Sequence, residues 1–325
     1  MSASTKLSGV AGLVRQVRHL AVDRKTRHAA IASTRLMYAD NLEHQACRAK
    51  EARNTLESIY ACLTQGNMQL FEFPPADGER AYILGSGPSV LELESKHWHQ
   101  VARHDSFGFN NWFKHEFVPT HYVAQASKQF QADADMRVAY LRRRGEYKDC
   151  QFIVRGDALN RGNFGNSQFG HELLRRSDLF CVPELYFLSS CTADPDVLMR
   201  QLLSRGFFSG AGSSLPLPKL GATLPLIVSL CIRLGYREII LVGIDMRDTR
   251  HFYDGAGGDS ASVVGVTDRA AAARVHPHMD MDKRSFAVTD VISSMASMAH
   301  AELGTRLFVG SSSSALAGHL PVWRW

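Results

Sequence analysis

A turn rich in glycine and serine follows an apolar run and has the composition of an anion-binding loop. Its residues are Gly85, Ser86, Gly87, Pro88 and Ser89. Glycine permits close backbone approach, so N–H groups of this turn can face a phosphate, and Ser89 is expected to cap the helix that follows. The turn lacks the third glycine of a dinucleotide fingerprint and the Gly-Lys-Ser/Thr ending of a Walker loop. We therefore predict a nucleotide or nucleotide-sugar site, with a plain strand-to-helix turn as the alternative.

Histidine and aspartate alternate in a second segment that could do chemistry. It contains His276, His278, Asp280 and Asp282, with Pro277 between the two histidines. An extended loop would turn these side chains to one side, where they could ligate a divalent metal ion. The alternative is a solvated loop that the proline stiffens. The residue types alone leave both interpretations open.

Isolated polar residues at other positions also bear on function. His251, close to Tyr253, is a further candidate site histidine, with an exposed loop position as the alternative. Asp157 is the spare carboxylate that a covalent mechanism would use, whereas Asp245 is expected to brace neighbouring loops. The run Arg142–Arg144 is expected to form a solvated helix face, or else to attract an anionic acceptor.

The elements that must position these residues alternate between short apolar runs and helical patterns. The candidate strands are Ala81–Leu84, Ser106–Phe109, Tyr122–Ala124, Phe152–Val154, Leu185–Leu188, Glu238–Val242 and Leu307–Val309. This alternation predicts an α/β fold with a doubly wound, mostly parallel Rossmann-like sheet. Ligands of such sheets lie beyond the carboxyl ends of the strands, so residues that follow strands are the best site candidates.

The first 75 residues differ in charge and pattern from the remainder. Residues 1–50 hold nine Lys and Arg against three Asp and Glu, and apolar residues from Val10 to Leu20 follow helical spacing. We predict a helical basic N-terminal extension over 1–75 and a Rossmann-like domain over 76–325, separated by the proline-containing break Phe73–Gly78. The extension could contact an anionic membrane peripherally, or it could pack on the protein itself or on a second subunit. A third alternative is that it is an organelle transit peptide. Nucleic acid is not expected as a partner, because no aromatics interleave with the basic residues.

Cysteine usage and hydropathy indicate the cellular compartment in which the protein is expected. The six cysteines stand singly without a Cys-x-x-Cys pair, which argues against a disulfide framework and a structural zinc site. No run of 18 apolar residues exists, and the most apolar window, Ala222–Leu234, is interrupted by Arg233. We therefore expect a cytoplasmic protein. If the basic arm binds the membrane, the protein would be held peripherally at its inner face.

A specific resemblance emerges when the glycine-serine turn is combined with a later segment. That segment runs from Gly221-Ala222-Thr223-Leu224 through an apolar helix to Leu234-Gly235-Tyr236-Arg237-Glu238 and ends in Ile239-Ile240-Leu241-Val242-Gly243-Ile244-Asp245. Together the two motifs resemble the bacterial sialyltransferases of glycosyltransferase family 42. They are less closely similar to the flagellin-glycosylating enzymes that share this Rossmann-like core, a GT-A-like variant. The resemblance covers Ala81 to about Leu316.

The resemblance implies a donor site for a CMP-sugar. The positions that match its donor-binding motifs are Gly85, Ser86, Gly87, Pro88, Ser89, Asn110, Gln125, Ser127, Thr223, Ser312, Ser313 and Ser314. Ser86 stands where the family usually has asparagine, and Ser312–Ser314 keeps hydrogen-bonding groups but loses a proline and an amide. Lys219 stands near the family's arginine, offset by one residue. Amide side chains at such positions hydrogen-bond hydroxyls and carboxylates of a nucleotide sugar.

The resemblance also implies the catalytic residues. Of two family tyrosines that contact the donor phosphate, one corresponds to Tyr253 and the other is replaced by Arg247, which would stabilise phosphate by charge. The family's general base is a histidine before the last helix, which corresponds to His278 or His276, with His278 slightly favoured.

The implied activity is metal-independent transfer of a sialic-acid-like or Kdo-like sugar from CMP to a glycan or lipid-linked acceptor. It implies bacterial surface polysaccharide biosynthesis, with no cofactor beyond the CMP-sugar donor, and an oligomer as in many family members. Two other classes stay open from the sequence. One is an ATP- and magnesium-dependent pyrophosphokinase on the same core. The other is a non-catalytic nucleotide-sugar-binding scaffold.

Overall fold

The computed structural model describes most of the chain that follows the basic arm. The described residues are 78–125, 130–156, 166–186, 194–208, 216–247, 250–254 and 287–325, with short stretches between 54 and 76 and single positions at 159 and 164. Several sequence-based predictions lie outside them: the amphipathic run Val10–Leu20, Ser127, Asp157 and the cluster His276–Asp282. These remain predictions.

Parallel strands form the centre of the fold. They are β1 (Met68–Leu70), β2 (Arg80–Leu84), β3 (Asp105–Phe109), β4 (His121–Ala124), β5 (Gln151–Arg155), β6 (Leu179–Val182), β7 (Glu184–Tyr186), β8 (Leu217–Lys219), β9 (Glu238–Val242) and β10 (Arg306–Val309). Within the described residues, eight of them form one parallel sheet in the order β1-β6-β5-β4-β3-β2-β9-β10, and β7 pairs with β8 separately. The predicted Rossmann-like α/β architecture is confirmed.

Helices cover both faces of this sheet. They are α1 (Ser95–Val101), α2 (Phe130–Arg143), α3 (Gln168–Leu174), α4 (Pro195–Ser204), α5 (Thr223–Leu234) and α6 (Val288–Leu303). Side chains alternate across β2, so Ile83 joins a buried cluster with α4, α5 and α6, whereas Tyr82 joins a second cluster with α2 and α3. Two cores on opposite faces define a doubly wound sheet. They also explain the apolar character of its central strands.

The order of the strands places a topological switch point at β2 and β9. From β2 the chain adds β3, β4, β5 and β6 in one direction, whereas β9 and β10 extend the sheet on the other side of β2. The loops after β2 and β9 therefore lie side by side at the carboxyl edge of the sheet. Ligands of open α/β sheets bind at such a point.

Some elements differ from the sequence-based prediction. Strands β1, β6 and β8, of three or four residues each, were not predicted. The predicted strand Leu185–Leu188 overlaps β7, which lies outside the main sheet. Strand β1 precedes the predicted domain boundary at residue 75 yet pairs with β6. Within the described residues, none of the helices combines the length and apolarity needed to cross a bilayer.

The cysteine prediction was wrong at one pair. Cys62 and Cys181 form a disulfide, with their Cα atoms 5.6 Å apart and a sequence separation of 119. The absence of a local Cys-x-x-Cys motif could not reveal this pair, because the fold rather than the spacing brings the two cysteines together. Cys150 and Cys231 are buried free thiols.

The arginine run on α2 also differs from expectation. Arg142 and Arg144 are exposed, but Arg143 is buried and donates to the backbone carbonyls of Phe113, His115 and Glu116. These carbonyls belong to the segment after β3, so Arg143 fixes that segment against α2. The prediction of a continuous solvated basic face was wrong at this position.

Candidate active site

The glycines of the first motif pack the loop after β2 against the loop after β9. Gly85 N–H donates to Val242 O and Gly87 N–H donates to Gly243 O, both at 2.8 Å. A Cβ at position 85 would lie 2.6 Å from the Gly243 oxygen. Gly243 has a φ of +65°, which favours glycine. The close approach is between two backbones of the switch point, so the Gly85 and Gly87 N–H groups that were expected to face a phosphate donate to protein carbonyls instead.

Ser89 has a different role from the predicted helix cap. The segment after the loop is a short 3-10 turn, Pro88–Glu92, which starts on Pro88 and has no side-chain cap. Ser89 instead donates its backbone N–H and its hydroxyl to the two carboxylate oxygens of Asp245, so the cap prediction was wrong. The prediction that Asp245 braces neighbouring loops is confirmed. The backbone N–H groups of Gly85, Gly87 and Ser89 thus bond within the protein, while the side chain of Ser86 faces a cavity.

That cavity, of about 180 Å³, opens beside the carboxyl ends of β2, β3 and β4. Its lining residues in the described part of the chain are Ser86, Asn110, Asn111, Gln125, Ala132, Met136, His251 and Tyr253. Six of these offer neutral hydrogen-bonding groups or an imidazole, and none of the eight is a carboxylate. The predicted site residues Ser86, Asn110, Gln125 and Tyr253 are therefore brought together, although they lie up to 167 residues apart in sequence.

One wall of the cavity is a hydrogen-bonded aromatic group. Ser86 Oγ lies 3.1 Å from His251 Nδ1, and the imidazole stacks on the ring of Tyr253 with centroids 4.9 Å apart. Asn111 Nδ2 donates to the Tyr253 hydroxyl oxygen at 2.9 Å. The hydroxyl accepts this bond and can donate its own hydrogen to another acceptor. Lys114 Nζ lies 4.2 Å from the centre of the Tyr253 ring. This ammonium adds positive potential next to the phenol.

An aromatic cluster supports the same wall from behind. His115 is buried and stacks on Trp112, with a second contact to Trp98. Burial, reinforced by the positive charge of Arg143, lowers the pKa of His115 to about 3. The ring is therefore neutral near physiological pH and acts as packing and as the acceptor for Phe117 N–H.

The opposite wall is connected to a buried ion pair. Gln125 Nε2 donates to Asn110 Oδ1 at 2.7 Å, and Gln125 Oε1 accepts from Arg155 at 2.7 Å and from Thr223 Oγ1 at 2.9 Å. Arg155 also bonds Glu184 through Nε at 2.9 Å and Nη2 at 2.7 Å. Thr223, one of the predicted donor-binding residues, thus lies behind Gln125 and not on the described cavity surface.

Asn110 adopts a backbone conformation that few residue types tolerate. Its φ is +55°, a region in which asparagine is enriched among non-glycine residues. Tyr122 OH donates to the Asn110 carbonyl and so fixes this turn at the end of β3. The side chain of Asn110 bonds Gln125 and lines the cavity.

The other predicted site residues lie apart from the cavity wall. Ser314 is buried, donates to Ile244 O and caps a short 3-10 turn, and Ser313 bonds Glu92. Ser312 and Arg247 are exposed and do not line the described cavity. Lys219 Nζ lies 3.8 Å from Glu184 Oε1, on the ion pair. His276, His278 and Ser127 lie outside the described residues.

Several residues at the site were not predicted from the sequence. Arg155, Glu184 and Lys114 carry no local motif, and Asn111 directly follows the predicted residue Asn110. Arg155 ends β5, Glu184 begins β7, and Asn111 and Lys114 lie in the segment that follows β3. This placement near strand ends is the signal that could have selected them. Among the described residues, no group of three or more His, Cys, Asp or Glu side chains is placed to hold a metal ion.

Comparison with known proteins gives only distant structural similarities. No family model and no curated protein match the chain. The sialyltransferase CstII from Campylobacter jejuni, in complex with the substrate analogue CMP-3FNeuAc, is similar with 15% identity and a TM-score of 0.38 over 75% of this chain and 86% of that one. The sialyltransferase CST-II with trisaccharide acceptor and CMP gives 14% identity and a TM-score of 0.37 over 75% and 85%. The MAf glycosyltransferase from Magnetospirillum magneticum AMB-1 gives 12% identity and a TM-score of 0.42 over 96% and 47%. Similarity this distant carries no information on substrate.

Proposed function

We propose that the chain is a metal-independent glycosyltransferase that moves a sialic-acid-like or Kdo-like sugar from a CMP donor to a glycan or lipid-linked acceptor. The observation that carries this proposal is the shared cavity of Ser86, Asn110, Gln125 and Tyr253 at the switch point of the sheet. The family resemblance had assigned each of these residues to the donor site from separate sequence segments. Their convergence on one cavity is what a common ligand requires.

The residues of the cavity can bind a nucleoside monophosphate. Hydroxyl and amide groups at Ser86, Asn110 and Gln125 can bond ribose and base oxygens. The Tyr253 phenol, backed by the Lys114 ammonium, can donate to the single phosphate. A leaving group with one phosphate needs less charge neutralisation than a diphosphate, so side chains can serve in place of a metal ion. Arg247 is proposed as an additional phosphate contact.

The proposed reaction is a displacement at the anomeric carbon of the donor sugar. An acceptor hydroxyl oxygen forms the new bond to that carbon, and the bond from the carbon to the phosphate oxygen breaks, so CMP leaves with the electron pair. The hydroxyl proton passes to a histidine acting as general base, which we assign to His278 or His276. His251 is the histidine of the described cavity, and its bond to Ser86 gives it a positioning role.

The cellular setting is part of the same proposal. A transferase that builds surface glycans on a lipid-linked acceptor would work at the inner face of a bacterial membrane, and the basic arm in residues 1–50 would supply peripheral contact. The same arm could also join subunits of a homo-oligomer. We propose a cytoplasmic location on these grounds, whereas the Cys62–Cys181 disulfide removes the support that cysteine usage gave to a reducing compartment.

The assignment of the base is tested by comparing histidine variants. The double variant His276→Ala/His278→Ala should lose transfer from CMP-sialic acid to a glycan acceptor while CMP binding stays within about twofold, because the base acts on the acceptor. The matched control His251→Ala should instead weaken CMP binding and retain measurable transfer. Full transfer by the double variant, measured as CMP release, would contradict the assignment.

A further inference from the structure

A chain of hydrogen bonds leads from a buried ion pair to the cavity surface. Glu184, fully buried, holds Arg155, which is 6% exposed. Arg155 Nη1 then donates to Gln125 Oε1 at 2.7 Å and to Thr223 Oγ1 at 2.8 Å. Gln125 Nε2 donates to Asn110 Oδ1, and Asn110 lines the cavity. Five side chains from five different parts of the fold thus form one relay.

The chemistry of arginine fixes the direction of this relay. A guanidinium can donate hydrogen bonds but cannot accept them, so the Gln125 atom that faces Arg155 must be the amide oxygen. Gln125 then turns its NH2 group towards Asn110, and the atom that receives this donor must be the oxygen of Asn110. The asparagine is left with its NH2 group for the cavity. Within the described part of the chain, that nitrogen makes no hydrogen bond.

The start of the relay is held in one orientation. Both Nε and Nη2 of Arg155 bond the same oxygen of Glu184, and Lys219 lies 3.8 Å from that oxygen. The backbone N–H of Glu184 donates to Ser58 Oγ at 3.0 Å. A buried carboxylate without its guanidinium would be strongly disfavoured, so the pair has little freedom to rearrange.

We propose that Arg155 is a positioning residue that sets the hydrogen-bond polarity of the donor site. It makes Asn110 present an N–H donor, so this part of the cavity selects an acceptor oxygen of the ligand, such as a carbonyl, hydroxyl or carboxylate. The proposal rests on the proposed function for the class of ligand, a CMP-linked sugar. The direction of the relay itself does not depend on that function.

Variants of Arg155 separate polarity from simple packing. Arg155→Lys retains a group that can only donate, so it should keep the orientation of Gln125 and bind CMP within about threefold of wild type. Arg155→Met removes the donor, lets both amides rotate, and should weaken CMP binding about tenfold, as loss of one oriented hydrogen bond to the ligand predicts. The double variant Arg155→Met/Glu184→Met gives the same test without an unpaired buried carboxylate. Arg137→Met, which removes the half-exposed pair with Glu172, is the matched control and should bind as wild type.

Two measurements on these variants distinguish the inference from the proposed function. The first is calorimetric titration with CMP. The second needs no ligand and follows the side-chain amide NMR signals of Gln125 and Asn110, identified with Gln125→Glu and Asn110→Asp. Amide signals that shift in Arg155→Met and return in Arg155→Lys support the relay even if wild type does not bind CMP, in which case only the proposed function fails. Unchanged amide signals and unchanged CMP affinity in Arg155→Met and in the double variant would overturn the inference.

Discussion

His115 shows how burial changes the chemistry of one residue near the site. Its pKa falls to about 3 because burial disfavours the charged ring, an effect to which nearby Arg143 adds. The unfolded chain therefore binds a proton between about pH 3 and pH 6.5 that the folded chain does not. Stability contributed by this residue is intact at neutral pH and is lost as the pH falls through that window.

We expect His115→Gln to reduce the acid sensitivity of the fold. Glutamine retains an acceptor for Phe117 N–H but takes up no proton. Between about pH 7 and pH 4.5, wild type should lose about 2 to 3 kcal/mol more unfolding free energy than the variant, as the proton linkage of one residue predicts. Denaturant unfolding of both proteins at the two pH values measures this difference. Equal losses would show that His115 is protonated in the folded state.

Single residues at the site differ in how far the sequence could predict them. Ser86 and Asn110 belong to motifs next to strands, and both line the cavity. The pair Arg155 and Glu184 lies 29 residues apart without a motif, and only the tertiary fold, which brings the end of β5 to the start of β7, joins the two side chains. Buried ion pairs of this kind are set by the tertiary fold, so local pattern does not reveal them.

At the scale of elements, the two loops of the switch point depend on each other. A Cβ at Gly243 would lie 2.4 Å from Val90 Cγ2 and 2.5 Å from the Gly85 oxygen. The residue also has a positive φ, which a side chain disfavours. A substitution there must therefore strain the backbone and separate the loop after β9 from the loop after β2.

Gly243→Ala should consequently destabilise the protein more than Gly235→Ala. Gly235 also has a positive φ, at the end of α5, but a Cβ there meets nothing within 4 Å. We expect a loss of about 1 to 2 kcal/mol for Gly235→Ala from the backbone alone, and a further loss of about 1 to 3 kcal/mol for Gly243→Ala from the contacts. Only Gly243→Ala should also weaken CMP binding. Equal stabilities in thermal and denaturant unfolding would contradict this difference.

The elements themselves were predicted to different extents. Central strands such as β2 and β9 are buried on both faces, so they appear in the sequence as continuous apolar runs. Strand β6, four residues long and ended by Pro183, and strand β1, three residues long, carry too little pattern to predict. The separate pairing of β7 with β8 depends on tertiary contacts and could not be read from composition.

For the whole molecule, the disulfide connects the segment before the sheet to its body. Cys62 bonds Cys181 on β6, and the same segment accepts a hydrogen bond from Glu184 through Ser58. Closing a loop of 119 residues restricts the unfolded chain. The cross-link thus stabilises the fold on the side that holds the Arg155 relay.

We expect Cys62→Ser to lower the unfolding free energy by about 2 to 4 kcal/mol under oxidising conditions. Adding dithiothreitol should lower the melting temperature of wild type towards that of the variant, and should leave the variant unchanged. Peptide mapping of the unreduced protein would detect the linked pair directly. The cross-link would be contradicted if both cysteines of wild type were free thiols and if dithiothreitol did not change its melting temperature.

The sheet order as a whole leads to the central claim, because it places four predicted donor-site residues around one cavity. Calorimetric titration of the full chain with CMP in the presence of EDTA tests this claim most directly. We expect saturable binding of CMP that EDTA does not change and that Asn110→Ala weakens. The contradicting result is no binding of CMP, or binding of ATP alone and only with magnesium.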